Sequence, residues 1–488
     1  MKIKPSSAKI KANLKAVVNP ANPFLAKIDL RAASITKAVM VKSSRTGPAR
    51  PFTGSLANCP AIMENAKINS IAFYCITSSM QLIIFFQILT IISLPLYILR
   101  FSVPFVNVPS TALELLILIT FFLTAANFYR DGRSSKLKTP FDLLIFLFLA
   151  NALLEVFFSG DLRGGLGVFK AYFLEPVMFF YSLVYVYSRT KSYRHIIYSL
   201  IVTATWLSIL AILQKLTHSF SLAPYEVALG RIPALYNSAN SLALFLGPVI
   251  FITLSLYLLK KRKTRWFFLF LVGLFSLVMV WTKSRGGLIA ETVTLIIFLC
   301  AVFSYWFRKL RRLWLIITII LLISLALFFS QLILTYNSPT LSAESVHSSE
   351  DTLQIRYALW AGTVNLLKTH PVLGAGLNGF KSLYQSGFKI SPEEESLQYP
   401  HNIILNFWVE TGFFGLLIFL ALTFKALKCL IETGFRNYSP WLGIGLICAL
   451  IYSLVHGMVD VPYFKNDLSV EFWVILALTE IYRREATT

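Results

Sequence analysis

The sequence predicts an all-α polytopic membrane protein of about twelve transmembrane helices, with a long extracytoplasmic loop between the ninth and tenth. Three observations predict it. Of the 488 residues, 56% are hydrophobic and 15% aromatic, but only 14% are charged; a soluble chain averages about 45–50% apolar and about 25% charged. Apolar runs near or above the roughly 18-residue length that spans a bilayer recur from about residue 80 onward. The connections between those runs also alternate between strongly and weakly basic. The first observation excludes a soluble enzyme, and the low charge density argues against disorder.

The runs fall near 78–99, 110–128, 140–159, 168–187, 196–217, 239–259, 266–282, 287–306, 313–335, 402–424, 440–457 and 468–482. They are too long for strands and lack the roughly ten-residue alternation of an outer-membrane barrel. Helices follow, because lipid offers no partner for an unpaired backbone amide.

The net charge of +22 comes from 45 Lys and Arg against 23 Asp and Glu, and its distribution sets the orientation. One set of connections holds Arg130, Arg133, Lys136 and Lys138; Arg189, Lys191 and Arg194; and Lys260, Lys261, Arg262, Lys263 and Arg265. It continues with Arg308, Lys309, Arg311 and Arg312; Lys425, Lys428 and Arg436; and Arg483 and Arg484. The other set holds Arg100, Arg163, Arg231, Lys283, Arg285, Arg356, Lys368, Lys381, Lys389 and Lys465, about half as many. The positive-inside rule places the first set, and both termini, in the cytoplasm of a cell whose cytoplasmic membrane holds the chain. A nucleic-acid partner is not expected, since no compact basic domain with reading elements is present.

Residues 1–69 differ from the rest. They are rich in Lys and Ser, with Asp29 and Glu64 their only acids, and no hydrophobic period runs through them. They read as a disordered cytoplasmic tail drawn to anionic lipid, or as an over-extended start. Residues 70–488 form the membrane domain. Cys59, Cys75, Cys300, Cys429 and Cys448 lie far apart without C-x-x-C spacing, so neither a disulfide scaffold nor a zinc site is expected.

Polar and turn-forming residues gather on the weakly basic side. The spans themselves carry few ionisable groups, mainly Glu114, Glu155, Lys170, Glu175, Lys215 and Glu291, and no repeat relates the two halves. A polysaccharide flippase or transporter, the reading from a different class, places its charge mid-membrane. The long loop, residues 336–401, is of a length that carries function. It opens with Ser348-Ser349-Glu350-Asp351, a cap for a helix over about 351–368. Leu353, Tyr357, Trp360, Val364 and Leu367 recur there at helical spacing as an apolar face. Pro371-Val372-Leu373-Gly374-Ala375-Gly376 follows, and the loop closes with Tyr399-Pro400-His401-Asn402. Gly374-x-Gly376 lacks the strand–turn–helix context of a dinucleotide site and reads as a turn. The acidic run Glu393-Glu394-Glu395 reads as a solvated face. Two further outward stretches are Gly230-Arg231-Ile232-Pro233 and His456-Gly457-Met458-Val459-Asp460.

Ser284-Arg285-Gly286-Gly287, Arg356 and Trp360 with the Pro371–Gly376 turn, and His401-Asn402 with Glu410-x-Gly412 carry a resemblance. In their order and spacing the chain resembles the O-antigen ligase and polymerase family of bacterial membrane glycosyltransferases, over roughly residues 80–485. The resemblance implies a glycosyltransferase C-like helical fold whose long loop caps the active site. It implies transfer of a glycan from undecaprenyl pyrophosphate to an acceptor hydroxyl, with no cofactor, metal or nucleotide sugar. Ligase, polymerase and protein O-glycosyltransferase share that mechanism, and the acceptor (glycan, lipid or protein) is open between them.

By the same resemblance, Arg231 and Arg285 are diphosphate ligands, Arg356 belongs to that positive cluster and His401 is the catalytic base. Glu175, Asn402 and Asp460 are supporting candidates. The residue types suit the chemistry. Guanidinium pairs with phosphate oxygens while staying charged, and imidazole accepts a proton near neutral pH. The glycines after Arg285 leave room for a lipid diphosphate. Each residue also has a plainer reading: an outward arginine anchors a helix end, His401 caps a helix, Glu175 pairs inside a kinked helix, and Asp460 with His456 ends one.

Overall fold

A computed structural model describes residues 79–103, 108–131, 137–261, 263–307, 351–390, 398–434 and 440–486. The chain divides after Ile71, and these residues all belong to the unit Ala72–Thr488. The basic segment 1–69, the expected span at 313–335, the cap residues Ser348-Ser349-Glu350 and the acidic run at 393–395 lie outside the described residues.

Every other apolar run is helical. In chain order the helices are α1 (Ser79–Ile92), α2 (Ala112–Asp131), α3 (Asp142–Val156), α4 (Leu162–Val168) and α5 (Glu175–Thr190). Next come α6 (Arg194–Thr217), the short α7 (Pro224–Ala228), α8 (Ala239–Leu259), α9 (Lys263–Thr282) and α10 (Arg285–Trp306). The loop helices α11 (Asp351–Thr369) and α12 (Phe380–Gly387) precede α13 (Ile403–Gly434), α14 (Trp441–Gly457) and α15 (Asn466–Glu485).

Seven helical segments among the described residues are long and apolar enough to cross a membrane, one of them the joined segment Leu162–Thr190. Of the five expected spans outside that count, 313–335 lies outside the described residues, and the other four have local causes. Helix α1 stops at Ile92 because Pro95 opens a 3-10 turn, Leu94–Ile98. Helices α3 and α14 are only 15 and 17 residues long, and α15 carries Asp467, Glu471, Glu480, Arg483 and Arg484.

The fold also departs from all-α at one connection. Arg100–Val103 (β1) and Val108–Thr111 (β2) form an antiparallel hairpin, with Phe101 opposite Ser110 and Ser102 opposite Pro109. Proline suits such a two-stranded edge, where a missing N–H costs no central ladder bond.

Large apolar side chains on the outer faces stay uncovered, among them Phe122, Phe146, Phe270 and Phe424, each about two-thirds exposed. That belt is what a lipid-facing bundle presents, and the helices meet inside it. Helix α8 packs on α9 and α14, α10 on α14, α13 on α3 and α14, and α15 on α5 and α13. Between α1, α2 and α5 runs a buried polar ladder: Gln87 donates to Ser182 (3.0 Å), Ser182 meets Thr124 (2.7 Å) and Thr90 meets Thr120 (3.2 Å). Such bonds hold helices together where lipid supplies no hydrophobic drive. An aromatic plug of Phe148, Phe173, Phe407, Phe419, Tyr463 and Trp473 fills the crossing of α3, α13 and α15, with Phe407 and Phe419 stacked at 3.9 Å.

The loop helix α11 is present over Asp351–Thr369, one residue beyond the expected end. Its buried face, however, is Leu359, Thr363, Leu366 and Leu367, while Tyr357 and Val364 are exposed. The reason is a second small core, in which that face meets Ala375, Phe380, Tyr384 and Val409 from the following turn, α12 and α13. Both stripes have helical spacing, and only the partner surface chooses between them.

Candidate functional site

Two neighbouring turns form the floor of the site. The segment between α7 and α8 is laced to the α9–α10 corner: Ile232 N donates to Trp281 O (3.1 Å), Lys283 Nζ to Leu229 O (3.2 Å) and Arg231 Nε to Thr282 O (3.2 Å). Arg231 is thereby fixed at three points. Its Nη2 donates to Asn240 Oδ1 at 2.8 Å, and its Nη1 lies 2.9 Å from Glu226 Oε2, at angles that make this an ion pair without an aligned hydrogen bond. A guanidinium has five N–H donors, so part of the fork remains open beyond these contacts.

Arg285 occupies the first turn of α10, whose cap is Ser284: its Oγ accepts from Gly287 N at 3.3 Å. The two glycines behind Arg285 serve a different purpose from the one expected. A Cβ at Gly286 would sit 2.5 Å from Val459 Cγ2, so the missing side chain lets the α14–α15 turn lie against this corner. Room for a ligand does not follow from it.

That turn brings Asp460 to His401. His401 Nδ1 and Asp460 Oδ1 are 3.1 Å apart, and Asp460 Oδ1 also accepts from Val461 N at 2.8 Å. Asp460 is buried. Burial opposes its ionisation, but the hydrogen bond and charge of His401, with Lys465 and His456 nearby, hold its carboxyl well below the usual carboxylate range. With Nδ1–H donating to Asp460, the lone pair of Nε2 is left on the other side of the ring. His401 itself sits at φ +48, a left-handed conformation that is uncommon outside glycine and concentrated at functional sites.

Asn402 holds the base in place. Its Oδ1 accepts from Ile404 N (3.0 Å) and Leu405 N (3.1 Å), capping α13, and its Nδ2 donates to Met458 O (3.0 Å). One side chain thus ties the start of α13 to the turn that carries Asp460. The α14 end of that turn is pinned to α8 by Tyr452, whose hydroxyl donates to Ala243 O (2.9 Å) and lies 3.0 Å from His456 Nδ1.

Arg356 joins the group from the long loop. Its helix is anchored one turn further on by Trp360, which donates to Pro400 O at 2.8 Å. The charges acting on Arg356 are those of Asp460, Arg231 and Arg285, and its own burial pushes its pKa down. Among the described residues, neither the Arg285 nor the Arg356 side chain has a hydrogen-bond or ion-pair partner. A partly buried guanidinium such as that of Arg356, held without an acid, favours an anion beside it.

The structure therefore gathers Arg231, Arg285, Arg356, His401, Asn402 and Asp460 at one end of the bundle. It leaves Glu175 out. Glu175 follows a π-helical segment, Phe169–Leu174, and precedes Pro176; it is buried with both carboxylate oxygens unpartnered, beside Glu114 and Lys170. The kink of the plainer reading is there, but the pairing it gave Glu175 is not found among the described residues, and no contact links it to the arginines.

Three participants escaped sequence reasoning. Glu226 pairs with Arg231. Lys465 bonds Ser241 and adds positive charge beside Asp460. Glu410 accepts the backbone N–H of Asn378 and that of Phe380 (3.3 Å), which folds the Pro371–Gly379 turn onto α13. The Glu410-x-Gly412 spacing was a signal for the last. At Gly412 the helix breaks (φ 68), and a Cβ there would lie 2.6 Å from both Val372 O and Glu155 Oε1. Nothing in the pattern around Glu226 or Lys465 marks them.

No curated protein matches the chain. Residues 270–420 match the model of the O-antigen ligase family, a stretch that contains Arg285, Arg356, His401, Asn402 and Glu410. The resemblance carried by the sequence motifs and this match agree: over residues 270–420 the chain is similar to the O-antigen ligase family.

Proposed function

We propose that the protein transfers a glycan from undecaprenyl pyrophosphate to an acceptor hydroxyl at the outer face of the cytoplasmic membrane, with both termini on the cytoplasmic side. One observation carries this reading: beside a His401–Asp460 pair, at the end of the bundle where charge is otherwise sparse, stand two arginines that have no hydrogen-bond or ion-pair partner among the described residues.

In the proposed reaction the acceptor oxygen attacks the anomeric carbon of the donor, and its proton passes to His401 Nε2. The bond from that carbon to the diphosphate oxygen breaks, and undecaprenyl pyrophosphate leaves with the electron pair. Arg285 and Arg356 take up the charge that grows on the departing diphosphate, with the open part of the Arg231 fork beside them. Asp460 orients the imidazole and favours its protonated form as the transfer proceeds. Asn402 acts through His401 and Asp460 by fixing the turns that bear them. The reaction is written without metal or nucleotide sugar.

Reconstitution of the full chain in liposomes with an undecaprenyl-pyrophosphate oligosaccharide and a panel of lipid, glycan and protein acceptors tests this. Transfer in the presence of a chelator is the expected result, and the product identifies ligase, polymerase or protein glycosylation. A strict need for divalent metal, or no transfer to any acceptor class, overturns it.

A further inference from the structure

A second recess lies beside the catalytic pair, and the proposed mechanism does not use it. It is a cavity of about 140 Å³ between the α4–α5 segment, the Pro371–Gly379 turn and the end of the long loop. A cavity of about 150 Å³ holds one six-membered ring, so this space is of the size of one ring. Its walls are of two kinds. Tyr172, Tyr399 and Phe464 present aromatic surface, while Asn378, Lys381, Gln398 and Glu410 present hydrogen-bonding groups. Lys381 only donates, the carboxylate only accepts, and the two amides do both. A flat ring with C–H faces and a rim of hydroxyls, each needing a donor and an acceptor, matches that lining. An apolar ring leaves the polar wall unsatisfied, and a bare anion leaves the aromatic wall unused.

The polar wall is built before any ligand arrives. Glu410 takes one backbone N–H on each carboxylate oxygen, from Asn378 and Phe380, and still has lone pairs to offer. Asn378 is held at φ +69 and donates to Asp161 Oδ2 at 3.2 Å. Groups fixed in this way lose little freedom on binding.

The cavity also has a definite place relative to the chemistry. Tyr399 lies two residues before His401, and their rings stand edge to face at 6.4 Å. The leading charges acting on Tyr399 are Glu410, Asp460, Arg100 and Asp467; those acting on Arg356 are Asp460, Arg231 and Arg285. Asp460 is common to the two sets. The cavity wall at Tyr399 and the arginine cluster therefore both border the His401–Asp460 pair.

We infer that this cavity is a single-pyranose subsite for the acceptor, which seats one sugar ring against Tyr172 and Tyr399 and turns one hydroxyl toward His401. The assignment to the acceptor rests on the function proposed above; the recognition of one hydroxylated ring rests on the cavity alone. A sugar of the donor has the same chemistry, and the kinetic arms below separate the two.

The test uses the full chain in nanodiscs and the double variant Lys381→Ala/Gln398→Ala, whose sites are exposed and leave the core untouched. Saturation-transfer NMR with methyl glucopyranoside, methyl N-acetylglucosaminide and methyl glucuronide reads ring binding without any transfer reaction. At least one glycoside gives a signal with the wild type that falls about tenfold in the variant, the loss of one or two hydrogen bonds. Equal signals in both proteins, or none in either, overturn the subsite. In the transfer assay the variant raises the acceptor KM about tenfold and leaves the donor KM unchanged. A rise confined to the donor KM overturns the acceptor assignment. Glycoside binding that depends on Lys381 and Gln398 in a protein with no transfer activity leaves the subsite standing and defeats the function proposed above.

Discussion

At one end of the bundle Arg189 meets Asp131 at 2.6 Å, and Arg483 and Arg484 share the buried Glu480 at 2.8 and 2.6 Å. At the other end Arg285 and Arg356 meet no acid among the described residues, Arg231 is paired but not saturated, and Asp460 is taken by His401. These three arginines are paired with acids, and Arg484 also reaches Lys138 O at 2.9 Å to tie the C-terminal helix to the α2–α3 connection. The sparsely basic end holds fewer arginines, but it gathers Arg231, Arg285 and Arg356 around the His401–Asp460 pair. Grouping beside that pair, rather than the number of charges, is the better pointer to the site.

The comparison breaks most visibly at the proposed base. His401→Ala lowers the transfer rate about 10²–10⁴-fold, the range of a positioned general base, while membrane insertion is retained; single-turnover assays in liposomes read both. Arg285→Ala follows, with a loss of about 10²–10³-fold in kcat from removal of one preorganised charge. Because Arg285 is exposed and has no partner to abandon among the described residues, the thermal midpoint of the variant stays at the wild-type value. A fall in stability with full activity would reverse the assignment.

Asp460→Asn sharpens the picture. Activity falls roughly 10–100-fold through loss of one charge-assisted hydrogen bond to His401. Stability carries a sign of its own. The folded carboxyl is depressed below its usual range, so its contribution is fully present above the unfolded value of about 3.9 and fades as pH falls below it. The stability gap between wild type and Asp460→Asn is therefore constant at neutral pH and narrows below about pH 4, as denaturant midpoints across that range would record.

The smallest effect on chemistry belongs to the other end. Arg484→Ala leaves Glu480 with Arg483 only and removes the tie to Lys138 O. The thermal midpoint drops, and transfer per folded molecule stays within about twofold of wild type, since nothing there touches substrate. Together the four variants ask whether pairing separates structural from functional charge.

Much of this was legible in the chain. Composition and run length gave helices wherever the described residues cover a predicted run, and the loop helix 351–369 was marked by its spacing. The charge alternation grouped Arg231, Arg285, Arg356, His401 and Asp460 on one side. Other features were not legible. The hairpin at Arg100–Thr111 hides in a short connection whose residues carry no alternation long enough to read. The buried face of α11 could not be chosen, because two apolar stripes compete and the small core around Phe380 and Val409 decides. Glu175 looked equal to Asp460 as a supporting carboxylate, and only position separates them.

By itself the sequence determined the solvent of the fold and the residue types at the site. Apolar length forces helices in lipid, and basic residues prefer one set of connections. The meeting of those residues was decided by tertiary structure alone. His401 and Asp460 lie 59 positions apart, and Arg231 and Thr282 lie 51 apart. Such contacts are long-range consequences of helix ends packing at a common level. Gly286 beneath Val459, Asn402 bridging to Met458 and Tyr452 clamped to Ala243 set that level. Local pattern carries no information about which distant turn will fill the space a glycine leaves.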